Sequence, residues 1–352
     1  MKSLFTSFAT LFATPALIGL LAYLPPVQAA DGAKEIRIAV PDLSAGSQHS
    51  GGGVVDVLRT QQIFEQEFAA DGVKITWSFF KGAGPVINEA LANDQVDFAY
   101  LGDLAAIIGK ANGLDTRLLS ATARDIKHYL GVVPGSGIKT LADLKGKSVA
   151  IFRGTASQLS FDAALASQGL SERDLQVINL DFNAANAALA AKQIDATWGL
   201  SNLIVLKARG VAELPLSTDD LGGAGSIQGV FVGHGSFVDE NPQLTARLIK
   251  AQQKAVAWLR DEQNKQAYIE LVSGLASYPT LILTNDLHGT SFHKIFDPQL
   301  DAAFLARLQQ SVDLAAEQRL VRRGFVVADW AEPKFLDAAL KDSTAVVAQS
   351  AN

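Results

Sequence analysis

What most constrains this chain is a change of pattern near residue 241. Before it, short runs rich in β-branched and aromatic residues alternate with segments whose apolar residues recur at helical spacing; after it, the strand-like runs stop. Runs at 36–40, 75–80, 97–101 and 117–121 read as strands, with helical patterns at 54–68 and 86–92 between them. A second block carries strand-like or short segments at 129–133, 141–144, 149–152, 177–180 and 196–200, with helical patterns at 157–166 and 184–191. A glycine-rich stretch at 222–229 leads into a brief run at 230–232. The tail is helical at 244–257, 300–314 and 335–347, broken by Pro242, Pro279 and Pro298.

Alternating strands and helices imply parallel sheets covered by helices, and a tail without strands must pack on a sheet formed elsewhere. The expected architecture is α/β with two Rossmann-like lobes joined by two crossings, near His128 and near Gly233. Lobe I comprises 30–127 plus 235–352, lobe II comprises 128–234, and the helical C-terminal region packs on lobe I. A chain of 352 residues is long enough for two such domains.

Residues 1–29 read as an export leader. Lys2 is the single charge, 16–24 is apolar, and Val27-Gln28-Ala29 supplies a small-residue cleavage signal before Ala30. An uncleaved anchor is the other reading of that stretch. The chain has no cysteine, which excludes disulfides, thiolate metal sites, cysteine nucleophiles and a lipid-modified cysteine. The protein is therefore expected free in a periplasm. Its one methionine is the initiator, so a processed chain would contain no sulfur, which suggests a protein made when sulfur is scarce. Lys+Arg 30 against Asp+Glu 36 gives a net charge of -6, which argues against a nucleic-acid partner.

An ordered series of motifs runs from Phe80 to Ala196. It comprises Phe80-Lys81-Gly82-Ala83-Gly84-Pro85 with Glu89-Ala90-Leu91, then Val96-Asp97 leading to Leu101-Gly102-Asp103, and the segment from Ser136-Gly137-Ile138-Lys139 to Lys145-Gly146-Lys147. Val149-Ala150, Arg153-Gly154-Thr155-Ala156-Ser157-Gln158 and Ile194-Asp195-Ala196 complete it. In order and spacing this resembles the periplasmic solute-binding proteins of ABC importers, in the branch that binds sulfonates, sulfate esters, taurine and nitrate. The resemblance implies the two-lobed type II fold, a small anionic organosulfur ligand, an inner-membrane permease as partner, a monomer, and no cofactor. Taurine, nitrate or another small anion is the alternative ligand class, and a periplasmic hydrolase on the same fold is a second alternative. Two departures bear on the pocket mouth. Thr197-Trp198-Gly199-Leu200-Ser201-Asn202 stands where the family has an aromatic segment ending in Trp-Asp-Pro, and the loop from Pro41 to Ser50 is long. Both suggest a ligand tail bulkier than two carbons.

Three strand-to-helix junctions carry the candidate site, because helix N-termini present free N–H groups to an anion at the carboxyl ends of strands. They are Gln48-His49-Ser50 before glycines 51–53, Gly102-Asp103, and Gly154-Thr155-Ala156-Ser157, where hydroxyls add donors. At each, ordinary capping is the competing role. Arg124 and Lys81 are candidate cations, and Trp198 is a candidate apolar wall. No catalytic or metal-ligating set is expected. His288 and His293 have the wrong spacing for a helical zinc pair, and Gly233-His234-Gly235-Ser236 lacks a nucleophile elbow.

Overall fold

The computed structural model describes residues 33–44 and 48–350, with side chains described to residue 342. The export leader at 1–29 and its cleavage point before Ala30 lie outside the described residues. Ten strands form two five-stranded sheets. The first contains β1 (Glu35–Pro41), β2 (Lys74–Phe80), β3 (Phe98–Gly102), β4 (Thr116–Ile126) and β10 (Ile227–His234), in the order β2-β1-β3-β10-β4. The second contains β5 (Tyr129–Val132), β6 (Ser148–Ile151), β7 (Gln176–Asn179), β8 (Ala196–Gly199) and β9 (Glu213–Ser217), in the order β7-β6-β8-β5-β9. In the first sheet β1 pairs parallel with β2 and β3, and β10 runs antiparallel between β3 and β4. In the second, β6 pairs parallel with β7 and β8, while β5 is antiparallel to β8 and β9. This is the two-lobed α/β fold.

The first sheet is buried on both faces, which is why its strands read as nearly continuous apolar runs. On one face Ile36, Ile38 and Phe98 pack with Leu248, Ile249 and Leu259 of the tail. On the other, Ala39, Leu101 and Leu118 pack with Phe304, Leu308 and Val312. Among the described residues no strand follows β10, so the tail's apolar surface is covered by a sheet built from the first 130 residues and from β10.

Three elements differ from the sequence reading. The return crossing, expected near Gly233, lies earlier, at 218–226, because β10 belongs to the first sheet; the lobe II boundary at 234 is corrected accordingly. The reason is burial: seven of the eight β10 residues are buried, which suits an interior strand, and the reversal falls in the preceding glycines, where Gly222, Gly223 and Gly225 have positive φ. The helical pattern at 54–68 is two helices, Gly53–Thr60 and Ile63–Phe68, separated where Gln62 adopts φ 51. Strand β9 lies where the sequence reading has no strand; Glu213 and Pro215 are exposed and alternate with less exposed residues, as suits an edge strand.

Candidate ligand-binding site

A cleft of about 830 Å³ lies between the lobes, at the carboxyl ends of β3 and β6. Ser50, Gly102, Thr155, Ala156 and Ser157 of the expected residues line it, so the structure brings the three junctions together from both lobes. At the first junction Asp56 organises the loop. Its buried carboxylate accepts Ser50 Oγ at 2.6 Å and the N–H groups of Gly51 and Gly52 at 3.0 and 3.2 Å. Burial pushes the Asp56 carboxyl up from its usual range against these bonds. The Gly53 N–H donates to Tyr268 Oη at 2.9 Å. The next N–H groups in that helix, Val54 and Val55, meet no acceptor among the described residues.

At the third junction Gly154 takes φ 74, a conformation that favours glycine, and its N–H donates to Gln158 Oε1 at 2.9 Å. The helix Ala156–Ser167 then starts with the Ala156 and Ser157 N–H groups unpaired among the described residues. Thr155 Oγ1 donates to the Phe152 carbonyl at 2.7 Å, so its proton is already committed. Ser157 Oγ lies 2.9 Å from Nε2 of the fully buried His128.

Among the cleft residues that sequence reasoning missed, Tyr268 supplies a side-chain hydroxyl beside the first junction. Its oxygen accepts from Gly53, leaving its own O–H to donate, and burial, followed by the Asp56 charge, raises its pKa so that it stays neutral. It stands 215 residues from Gly53 in a helix whose only local signal is an apolar periodicity.

The remaining expected residues do not line the cleft. Gln48 and His49 are exposed; His49 bonds Asp42 at 2.9 Å and stacks on Phe79. Asp103 turns into the protein, where its carboxylate accepts from the N–H groups of Leu104 and Gln228 and from Ser311 Oγ; burial raises it to about 6. Arg124 lies within β4, which continues past residue 121, and is held by the carbonyls of Asp297 and Gln299 and by Asp301 at 3.0 Å. Gly154 sets the turn behind the site. Lys81 is exposed. Trp198, 1% exposed, is core: its Nε1 donates to Ser160 Oγ at 2.7 Å and its ring packs against Phe161.

The lobes already touch on two sides of the cleft. At the base, a Cβ placed on Gly102 would stand 2.5 Å from Ala156 Cβ, and one on Gly154 would stand 2.9 Å from Pro85 Cγ. At the mouth, Asp286, which ends the helix Thr280–Asp286 of the tail, accepts from Tyr129 Oη and, at 2.7 Å, from Ser201 Oγ of the second lobe. Of the cations lining the cleft, Lys127 is half-buried and paired with Asp219 at 2.6 Å, and Arg209 is exposed. An anion at the base therefore meets neutral N–H and O–H donors. Among the described residues no group of three or more His, Cys, Asp or Glu is arranged to hold a metal ion.

A family model described as NMT1/THI5 like matches residues 68–266. The chain belongs to that family. It is 25% identical over 319 residues to a Bacillus subtilis (strain 168) protein described as aliphatic sulfonates-binding, spanning 89% of this chain and 92% of that one. An Escherichia coli (strain K12) protein of the same description is 28% identical over 309 residues, spanning 87% and 91%. The solved structure of a sulfonate ABC transporter protein from Methylobacillus flagellatus KT, described as a periplasmic sulfonate-binding protein, superimposes with a TM-score of 0.75 at 28% identity, over 90% of this chain and 96% of that one.

The buried groups make a pH prediction. Burial drives His128 down to about 3, below its usual 6.5, so between those values the unfolded chain binds a proton that the folded chain does not. The stability contributed by neutral His128 is complete above pH 6.5 and is lost as pH falls toward 3. Asp103 and Asp162, raised by burial to about 6 and about 7, act with the opposite sign, because the folded chain holds their protons through that range. In denaturant titrations, the stability of the native chain relative to His128→Gln should fall by on the order of 3 kcal/mol between pH 7 and pH 4. A constant difference would show that His128 takes up its proton at the same pH in the folded chain as in the unfolded one, and would overturn the burial effect.

Proposed function

We propose that the protein is the periplasmic substrate-binding component of an ABC importer, taking up organosulfur oxyanions, aliphatic sulfonates or sulfate esters, for sulfur supply. The observation that carries this reading is the donor set at the cleft base: the unpaired N–H groups of Val54, Val55, Ala156 and Ser157 with the Tyr268 hydroxyl, drawn from both lobes. Three oxygens sharing one delocalised charge are matched by several neutral donors, each bond to a charged group contributing about 1.5–3 kcal/mol. Because those donors come from both lobes, the ligand itself holds the lobes together, and rotation about Lys127-His128 and 218–226 would present a changed surface to an inner-membrane permease. The single methionine at position 1 and the lack of cysteine fit a protein needed when sulfur is short.

The relatives described as aliphatic sulfonates-binding support the ligand class, and a binder rather than an enzyme fits the polar groups present. The hydrolase alternative would rest on Ser157 and His128. His128 is held neutral by burial, and no carboxylate is bonded to its Nδ1 to orient it as a general base. Calorimetry with methanesulfonate, methyl sulfate, taurine and nitrate, together with a sulfate-release assay, tests the reading. Tighter binding of the first two than of nitrate, with no sulfate released, is expected. A preference for nitrate, or turnover of the ester, would overturn it.

A further inference from the structure

The helix Thr280–Asp286 belongs to the first lobe and ends in a carboxylate that its own surroundings oppose. A negative charge at a helix C-terminus meets the negative end of the backbone dipole, and here it also lines a cleft proposed to receive an anion. Among the described residues no Lys or Arg pairs with Asp286; its carboxylate accepts from two hydroxyls of the second lobe, Tyr129 Oη and, at 2.7 Å, Ser201 Oγ. Both partners are placed by the second sheet. Tyr129 opens β5 and pairs antiparallel with Gly199, the last residue of β8, so Ser201, two residues on, is brought to the same carboxylate as the phenol. Burial, followed by the Asp286 charge, holds the Tyr129 phenol above its usual range, so it stays a donor. The helix itself is fixed to the first lobe: Leu283, one turn before Asp286, is 5% exposed in that lobe's core, and just beyond the helix Lys265 Nζ donates to the Thr290 carbonyl at 2.5 Å.

We propose that Asp286 is a latch: carried on a helix anchored to the first lobe, it draws Tyr129 and Ser201 across the mouth and holds the cleft shut, both before a ligand arrives and after it is seated. The bonds join protein to protein, so they favour the closed arrangement whether or not the cleft is filled. When the lobes part, the carboxylate exchanges two fixed donors for water and keeps its unfavourable place at a helix end. Release then waits on the latch, which lengthens the time a ligand is held. The latch acts on any occupant of the cleft; only the release measurement below rests on the anion reading proposed above.

Because the chain has no cysteine, the pair Ile178→Cys and Val326→Cys, at exposed positions in the second and first lobes, carries the only spin labels. The distance between them is measured by electron paramagnetic resonance without ligand, with and without Tyr129→Phe plus Ser201→Ala. A closed population is expected that falls about fivefold or more when the hydroxyls are removed. The same distribution in both proteins would overturn the latch. Stopped-flow release of methanesulfonate and methyl sulfate is then followed with and without the two hydroxyls, each in the native background and with Asp286→Ala. Loss of the hydroxyls should speed release about tenfold while Asp286 is present and less than about twofold once it is gone. Equal acceleration in both backgrounds would show that the hydroxyls act on the ligand rather than on Asp286, and would overturn the proposal. If neither compound binds, the anion reading falls, and the distance measurement by itself decides the latch.

Discussion

Gly102→Ala should abolish tight ligand binding while leaving the fold intact, with affinity falling by about 100-fold or more. Gly102 has φ -77 and ψ 159, a conformation any residue adopts, so alanine adds no backbone strain. The new methyl, however, would stand 2.5 Å from Ala156 Cβ across the cleft, where two carbons need about 3.5–4 Å. Ala156 is the first residue of its helix and cannot turn its Cβ aside, so the lobes must part by about 1 Å at this point. That displacement draws the Ala156 and Ser157 N–H groups away from an anion held by the first lobe. Losing two charge-assisted bonds accounts for the effect. Calorimetry with the best sulfonate or sulfate ester, beside a thermal melt, measures both halves of the claim. The double variant Gly102→Ala with Ala156→Gly removes the colliding methyl and should recover most of the affinity. Unchanged binding by the single variant would show that the lobes do not close at Gly102.

Trp198→Ala should cost about 3–5 kcal/mol of stability. The indole is 1% exposed, packs against Phe161, and donates to Ser160 Oγ, which itself donates to the Gly225 carbonyl in the return crossing. Gly225 fits there because a Cβ on it would stand 2.5 Å from the Ser160 carbonyl oxygen. Removing the ring thus opens a cavity in the second lobe and loosens the crossing's anchor together. Trp198→Phe keeps most of the volume and should cost about 1–2 kcal/mol, the value of the lost N–H bond. Chemical denaturation measures these costs, and the ligand affinity of the folded protein should change less than threefold. Had Trp198 formed a pocket wall, the alanine variant would instead lose affinity with its stability intact, and that outcome would contradict the placement.

Much of the fold was legible because it is written locally. The β-branched runs at 36–40 and 75–80 alternate with helical periodicity in a way only helix-covered parallel strands satisfy, and the glycines at 51–53, 102 and 154 mark places where backbone approaches a crevice. The three junctions could therefore be named from motif and spacing. Their common cleft could not be narrowed further, because donors there differ only in which of them find partners. Asp103 and Ser157 look alike as polar residues at helix starts; β10, arriving from residue 227 onward, supplies the N–H that turns Asp103 inward, while Ser157 is left beside His128 at the cleft.

The same distinction explains the other departures. Arg124 reads as a free cation until the 297–301 segment surrounds it, and Trp198 as a wall until Ser160 receives its N–H. Tyr268 has no motif at all and enters the site only because the tail folds back across the first sheet to meet Gly53. Strand and helix periodicity, turn glycines and caps depend on near neighbours, so the sequence by itself determined the alternation of strands and helices and the three strand-to-helix junctions that meet at the cleft. Which polar atoms remain unpaired, and which aromatic rings surround them, depends on contacts hundreds of residues apart, and only the tertiary structure decided those.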